Sequence, residues 1–435
     1  MRSRQIVVLC LAFGLVLAAS TGAGAGDWPQ FRGPAARGVL DGQKLPESWD
    51  VAAGTNIRWR TSIPGIGHSS PIVWGDRVFV TTAVSGHDEE LVLGDEGGID
   101  LADDSDEFSW RLYCLDSKSG EILWQREAYS GVPRATRHVK SSQANSTPAT
   151  DGSVVVAVFG SQGLKAFDLA GKELWQRDLG VLDPGLFGDA TSHWGHASSP
   201  VIHDGLVFIQ VDRHAASYLA AFRAASGEEV WKIERNEKPV WSTPTVHQGP
   251  DRTQLIVMGG DWDRGLDPQT GGELWRFARD YEVKVSSPIV VADLVILSGG
   301  YRGTPLQAVP VGAAGVVETP VWTSPPGGPY TPTPLAYGER IFFSRNTGVL
   351  TVLSVESGEL LHRSRLGGNF SASPVASDGR VYLASEEGVV TVVTAAAEPE
   401  VLAQIDMAEP IMASPAISDG TLFVRTAVHL YAIGQ

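Results

Sequence analysis

Seven residues of the chain have side chains suited to holding a small polar molecule: His68, Asn145, His196, Trp241, Lys284, Tyr330 and Asn369. Each stands a few residues ahead of a proline in a recurring Ser- or Thr-rich context, the prolines being Pro71, Pro148, Pro200, Pro244, Pro288, Pro334 and Pro374. If those prolines occupy equivalent places in repeated units, the seven side chains form one ring. A ring of imidazole, amide, ammonium and aromatic groups suits a flat or polar ligand. The competing and simpler reading is a cap whose members hydrogen-bond water or one another.

A second series follows other apolar runs: Asp212 and Arg213 in "VDRH", Asp261, Asp263 and Arg264 in "GDWDRG", Arg302 in "GYRG", and Arg345 in "SRN". Guanidinium groups bind carboxylates in a two-pronged way, so alternating Asp and Arg would take a carboxylated ligand or pair with each other between units, the commoner use. Asp212 and Asp261 are the candidates for a general base. His193 and His196 form an H-x-x-H, two imidazoles short of the ligand set of a zinc site. Asp103, Asp104, Asp106 and Glu107 offer the hard oxygens calcium takes, but the D-x-D-x-D-G order is missing and a solvated loop is expected. Phosphate-cradling, H-E-x-x-H and G-x-S-x-G motifs are absent from the sequence.

The elements that must position these residues are written repeatedly. "SSPIVWGDRVFVT" (69–81) returns as "STPATDGSVVVAV", "SSPVIHDGLVFIQ", "SSPIVVADLVILS", "ASPVASDGRVYLA" and "ASPAISDGTLFVR". Counting to Pro415 gives eight copies with a period near 44 residues, once an insertion after Pro71 is allowed for. A second signature follows each copy, as in "LYCLDSKSGEILWQRE" (112–127) and "LKAFDLAGKELWQRDL" (164–179): a strand, a Gly turn and a strand ending in Trp. Four short strands per unit at this period predict an all-β, eight-bladed β-propeller of four-stranded antiparallel blades. The last unit lacks its Trp strand, and "NIRWRTSI" (56–63) supplies one, so the N-terminal strand closes the last blade and removes its open edge. The propeller then runs over 56–435, after an extension at 26–55. Two connections, 129–145 and 180–197, are longer than the ring needs and predict a lid or partner-binding ridge, with Arg134, Arg137, His138 and Lys140 as a local basic patch.

Arg2 and Arg4, the apolar run "IVVLCLAFGLVLAA" and the small residues Ala23 and Ala25 read as a signal peptide over 1–25, so a periplasmic or secreted protein of the bacterial envelope is expected. Cys10 lies inside that run rather than at the cleavage point, so no stable membrane anchor is expected after cleavage. Cys114, the remaining cysteine, is expected to be a small buried hydrophobe. The formal net charge of −16 argues against nucleic acid and anionic membrane surfaces as partners. Ten acids and no Lys or Arg lie in the insertion 85–108.

The pattern A-x-D-x-x-x-G-E/K-x-x-W, clearest from Ala166 to Trp175 and Leu115 to Trp124, resembles the tryptophan-docking repeat of quinoprotein-type propellers, the PQQ-like repeats. It weakens at His362 and Ala403, which take the Trp place. The opening "DWPQFRGPAARGV" (27–39) is similar to the N-terminal tag of many exported members. The resemblance implies that each Trp packs between neighbouring blades. It implies two functions. One is a binding or scaffold protein like the propeller lipoprotein that assists outer-membrane protein assembly, with an envelope protein or a small polar ligand at the channel-mouth face. The other is a dehydrogenase of alcohols or sugars, requiring PQQ and calcium. The adjacent cysteine pair of many alcohol-oxidising members is missing and no catalytic set aligns, so binding without catalysis is the expected role.

Overall fold

The structure, a computed structural model, describes residues 26–87, 91–94, 98–185, 193–213, 216–279 and 283–435. The expected signal peptide at 1–25 lies outside them. Short apolar runs separated by tight turns give eight antiparallel sheets, the blades, whose strands lie within 72–131, 149–177, 201–235, 245–278, 289–323, 335–365, 375–406 and 416–433. The eighth takes its outer strand from Ile57–Ser62, which pairs with His429–Ile433 and closes the ring as its sequence predicts. Inner strands are covered on both faces and read as unbroken apolar runs, as in Val154–Val158, where every residue is buried. Outer strands such as Glu229–Arg235 alternate between exposed and half-buried positions.

The Ser or Thr before each proline has a physical reason. The backbone N–H of Ser70 donates to Thr147 Oγ1 at 2.9 Å, Thr147 N–H to Ser199 Oγ at 3.0 Å, and Ser199 N–H to Thr243 Oγ1 at 3.0 Å. The sequence continues through Ser287, Thr333 and Ser373 to Ser414 Oγ, at 3.1, 3.0, 2.9 and 2.8 Å. One hydroxyl per blade thus satisfies one buried N–H of the blade before it, a belt of seven links around the channel. Proline at the next position confines the preceding residue to extended backbone and removes a donor from a strand edge that has no sheet partner.

Tryptophans stitch the outer wall, as the resemblance implies. Trp59, Trp124, Trp175, Trp231 and Trp322 each donate Nε1–H to a backbone carbonyl of the next blade, those of Ser117, Leu169, Ala224, Pro268 and Val355. Their rings lie on Gly120, Gly171, Gly227, Gly271 and Gly358, turn glycines with positive φ where a Cβ would strike the indole or a neighbouring side chain. Where that turn is missing, so is the docking. His362 faces a seventh blade whose corresponding turn, 395–400, contains no glycine, and Ala403 faces the eighth, whose third and fourth strands are the two ends of the chain. Trp275 donates instead to Gln254 Oε1 of its own blade, at 2.7 Å. The fifth blade replaces the glycine turn with a longer connection whose strand Gly315–Val317 adds in parallel to Trp275–Phe277.

The extension 26–55 packs into the ring. Trp28, fully buried, exchanges backbone hydrogen bonds with Val73 of the first blade, and Gly38 and Leu40 do so with Ala376 of the seventh. Between them Arg32 inserts its side chain and donates to the carbonyls of Thr333, Pro334 and Pro374 at 3.3, 2.8 and 3.3 Å. Burial lowers its pKa to about 9, so it stays cationic at neutral pH. The extension is therefore a plug at the end of the channel where the first and second strands turn.

Gly227→Ala is expected to destabilise the fold by about 1 kcal/mol of left-handed backbone strain plus about 1–3 kcal/mol of overpacking against Trp175. Gly205→Ala, also at positive φ but with open space around it, carries the strain alone. Equal urea midpoints for the two variants would refute the docking role of the glycine.

Candidate functional site

The loops before the prolines and the loops between second and third strands lie together at the other end of the channel. Here the first blade's acidic insertion is anchored at Asp104, which is buried where a solvated loop was expected, while Asp103, Asp106 and Glu107 are exposed in line with that expectation. Asp104 pairs with Arg137 at 3.2 Å, both side chains under 5% exposed, and accepts from Gln143 Nε2 at 2.8 Å. Backbone bonds join Ala102 to Arg137 and Val139 to Asp100. His138 donates Nε2–H to Gly98 O at 3.0 Å and stacks on Trp194 with ring centroids 4.0 Å apart. Lys140 Nζ reaches Gly94 O at 2.7 Å and Glu386 Oε1 at 2.8 Å, while Gly94 N–H donates to Glu386 Oε2 at 2.7 Å. Glu386 belongs to the seventh blade and its side chain is fully buried, so the insertion and the 129–145 connection are tied across the eighth blade into a cap. The basic patch read from the sequence is spent inside this cap, except Arg134, which meets Asp178 at the surface.

Five of the seven ring residues are linked from blade to blade. His68 donates Nε2–H to Lys140 O at 3.0 Å. Burial, with the nearby cations Arg425, Arg137 and Lys140, lowers its pKa to about 3, which fixes the neutral ring. Asn145 spends its amide on Ser141, Ser142 and the carbonyl of His196. Trp241 Nε1–H donates to Gly195 O at 2.8 Å, and its backbone N–H to Lys284 O at 2.9 Å. Lys284 is fully buried, donating to Gly259 O at 2.6 Å and pairing with Asp263 at 3.1 Å; burial brings its pKa down to about 8. Tyr330 and Asn369 stand apart from this chain of contacts. Tyr330 packs edge-on against Tyr301, and Asn369 binds Glu387 of its own blade.

The second series does not converge on a pocket. Asp212 is buried against Arg235 at 3.3 Å and Gln210 at 2.6 Å, and burial raises its pKa to about 6. Arg213 donates to Val181 O at 2.6 Å and buttresses the 180–197 connection. Asp261 is half-exposed, 3.7 Å from Lys238. Asp263 pairs with Arg279 inside the fourth blade rather than between blades, and Arg279 then bridges to the fifth through the carbonyls of Leu297 and Ser298. Sequence reasoning missed Glu386, Asp104 and Arg425 as the groups that close the mouth. All three share one positional signal, a place where the second strand of a blade passes to the third, like that of Asp212 and Asp261. Arg425 donates to Ser69 O, Ser69 Oγ and Thr81 O and bridges the last blade to the first.

The arrangement defines a class: an eight-bladed, tryptophan-docked propeller plugged at one end of its channel and capped at the other. The chain belongs to the PQQ-like repeat family described as outer membrane protein assembly factor BamB, whose matches over 48–185, 87–233, 161–304 and 264–398 together span most of it. Among solved structures it is similar to BamB from Moraxella catarrhalis, at 14% identity over 81% of this chain and 98% of that one, TM-score 0.53. It is also similar to a europium-containing methanol dehydrogenase, at 11% identity over 95% and 98%, TM-score 0.69. A quinohemoprotein alcohol dehydrogenase from Comamonas testosteroni gives 13% over 96% and 81%, TM-score 0.64. At these identities the likeness is one of fold. Among characterised proteins, tetrathionate hydrolase of Acidithiobacillus ferrooxidans is 26% identical over 46% of this chain and 39% of its own length. Polyvinylalcohol dehydrogenase of a Pseudomonas species is 24% identical over 50% and 35%. The matches thus span well under half the length of either relative.

PQQ is a planar tricarboxylate and would need free cations and an open mouth. Arg137, Lys140 and Arg425 are already engaged by Asp104, by Glu386, and by the oxygens of Ser69 and Thr81, so these three do not fit it, and of the sequence's second series Arg302 and Arg345 are the cations that would have to hold it. No group of three or more His, Cys, Asp or Glu among the described residues could hold a metal ion. His193 Nδ1 and His196 Nε2 are buried without hydrogen-bond partners among the described residues, and none of those residues joins them as a third ligand.

His68 and His196 have pKa values lowered to about 3 and about 4 by burial, below those of the unfolded chain. Between pH 6.5 and 4 the unfolded state then binds more protons, so stability falls as pH falls. Asp212, raised to about 6, acts in the opposite sense. Urea midpoints should therefore drop from pH 7 to pH 4.5, and drop less in a His68→Gln/His196→Gln variant. An equally steep drop in that variant would remove both histidines from the account.

Proposed function

We propose that this protein is an exported binding or scaffold propeller of the bacterial cell envelope whose working surface is the cap, the occupant being another envelope protein. The observation that carries this reading is that the polar groups of the mouth are consumed in tying the first, second and seventh blades together. The cap turns outward aliphatic side chains, Ile99 at 70% exposure, Val132 at 53% and Leu101 at 42%, among the exposed acids Asp100, Asp103, Asp106 and Glu107. Exposed aliphatic side chains beside polar ones suit a protein partner better than a small polar ligand.

The second reading, a PQQ- and calcium-dependent dehydrogenase, is favoured by the partial match to polyvinylalcohol dehydrogenase. A thermal-shift titration with PQQ and calcium chloride separates the two. A ligand at a hundred times its dissociation constant adds about 2.7 kcal/mol to the native state. We expect no saturable shift; a saturable one, with dye-linked oxidation of alcohols, would replace the scaffold reading. Ile99→Asp/Val132→Asp should leave the melting temperature unchanged and reduce co-purification of the envelope partner from the native host. Unchanged co-purification would move the working surface elsewhere.

A further inference from the structure

The outer wall carries a second surface, apart from the cap and independent of the reading above. At the seam between the seventh and eighth blades, where Ala403 stands in the Trp place, a groove of about 1090 Å³ runs between the outer strand Val401–Asp406 and the segment 48–60. Its walls include Trp49, Ile57, Trp59 and Ala403, with Asp50 and Asp406 on its rims and Arg60 on the eighth-blade side. Trp49 is itself buried, its Nε1–H on Met407 Sδ at 3.1 Å, so it floors the groove rather than filling it.

Elsewhere in this chain such an edge is already occupied. Gly315–Val317 adds to the fourth blade in parallel, pairing with Trp275, Arg276 and Phe277, just beyond the bulge at Leu274. The seventh blade has the same bulge at Leu402, and the positions equivalent to 275–277 are Ala403, Gln404 and Ile405, which line the groove. Five other outer strands carry a basic residue of the kind that discourages strand addition, Arg126, Arg177, Lys232, Arg363 and Arg58; the short strand Trp322–Thr323 carries none, and the strand that accepts Gly315–Val317 carries Arg276. Val401–Asp406 carries none. The sequence from 381 to 424 holds seven acids and no Lys or Arg.

We propose that the edge Ala403–Ile405 accepts an extended, cationic segment of another polypeptide as a fifth strand, its apolar side chains entering the groove and its Lys or Arg side chains facing Asp50 and Asp406. Backbone pairing supplies affinity and alternate side chains supply selection, the usual terms of strand addition.

The test uses the protein from residue 26 onward and a fluorescein-labelled ten-residue peptide of alternating Val and Lys. Anisotropy should saturate. Binding should weaken at least tenfold when two central Val are replaced by Pro, when every Lys is replaced by Glu, or when the protein carries Gln404→Lys/Asp406→Lys at two exposed positions. Hydrogen exchange should slow within 403–405 on binding. The proposal is overturned by equally tight binding of the Pro peptide, which would mean charge attraction alone, by protection appearing at another blade, or by the absence of saturation.

Discussion

The ring depends on how a buried N–H at the start of each blade finds an acceptor. The innermost strands of neighbouring blades share no sheet hydrogen bonds, so each presents an edge in a place with little water. An unsatisfied buried N–H costs about 1–3 kcal/mol, more than an ordinary hydrogen bond contributes net. The hydroxyl of the next blade's Ser or Thr meets that need. Because the six residues from Thr147 to Ser373 each donate the N–H and offer the hydroxyl, displacing one of their blades leaves two partners unmatched. The identity of the residue before proline is therefore a property of the ring rather than of any blade.

The outer wall obeys a similar pairing rule, with tryptophan and glycine as the partners. An indole can lie flat on a neighbouring turn only where that turn lacks a Cβ and adopts positive φ. Trp and Gly consequently meet at five seams, while Trp275, with no such glycine to receive it, turns to Gln254 of its own blade. The departures at His362 and Ala403, which look like decay of the repeat, mark seams where the receiving turn has changed or does not exist. At the last of these seams the ends of the chain meet, and the extension brings Trp49 and Trp59 to that side of the ring.

Blade count, strand order and the closing strand were legible in the sequence because each is repeated, or completes a repeat, at a fixed spacing. The plug and the cap were not. Arg32 bonds to residues about three hundred positions away, and Lys140 reaches Glu386 across the eighth blade. Neither contact has a copy elsewhere in the chain, so no periodic signal announces it. Asp104 sits in a run of acids that reads as solvated, and only the approach of Arg137 makes its burial tolerable. The individual polar residues of the mouth were identifiable by position; whether they face a ligand or one another depends on these unrepeated contacts.

The channel also separates net charge from local charge. The chain is strongly acidic, yet Arg32 and Arg425 are buried in the ring and donate to carbonyl and hydroxyl oxygens. Burial lowers each pKa to about 9, so both remain charged at neutral pH, with backbone dipoles doing what water would otherwise do. An anion entering the channel would have to compete with oxygens already fixed at hydrogen-bond distance and displace them without solvent to receive them. Cations so engaged act as fasteners between blades. That use of the interior leaves the cap and the wall as the surfaces where side chains can exchange water for a partner without dismantling the ring.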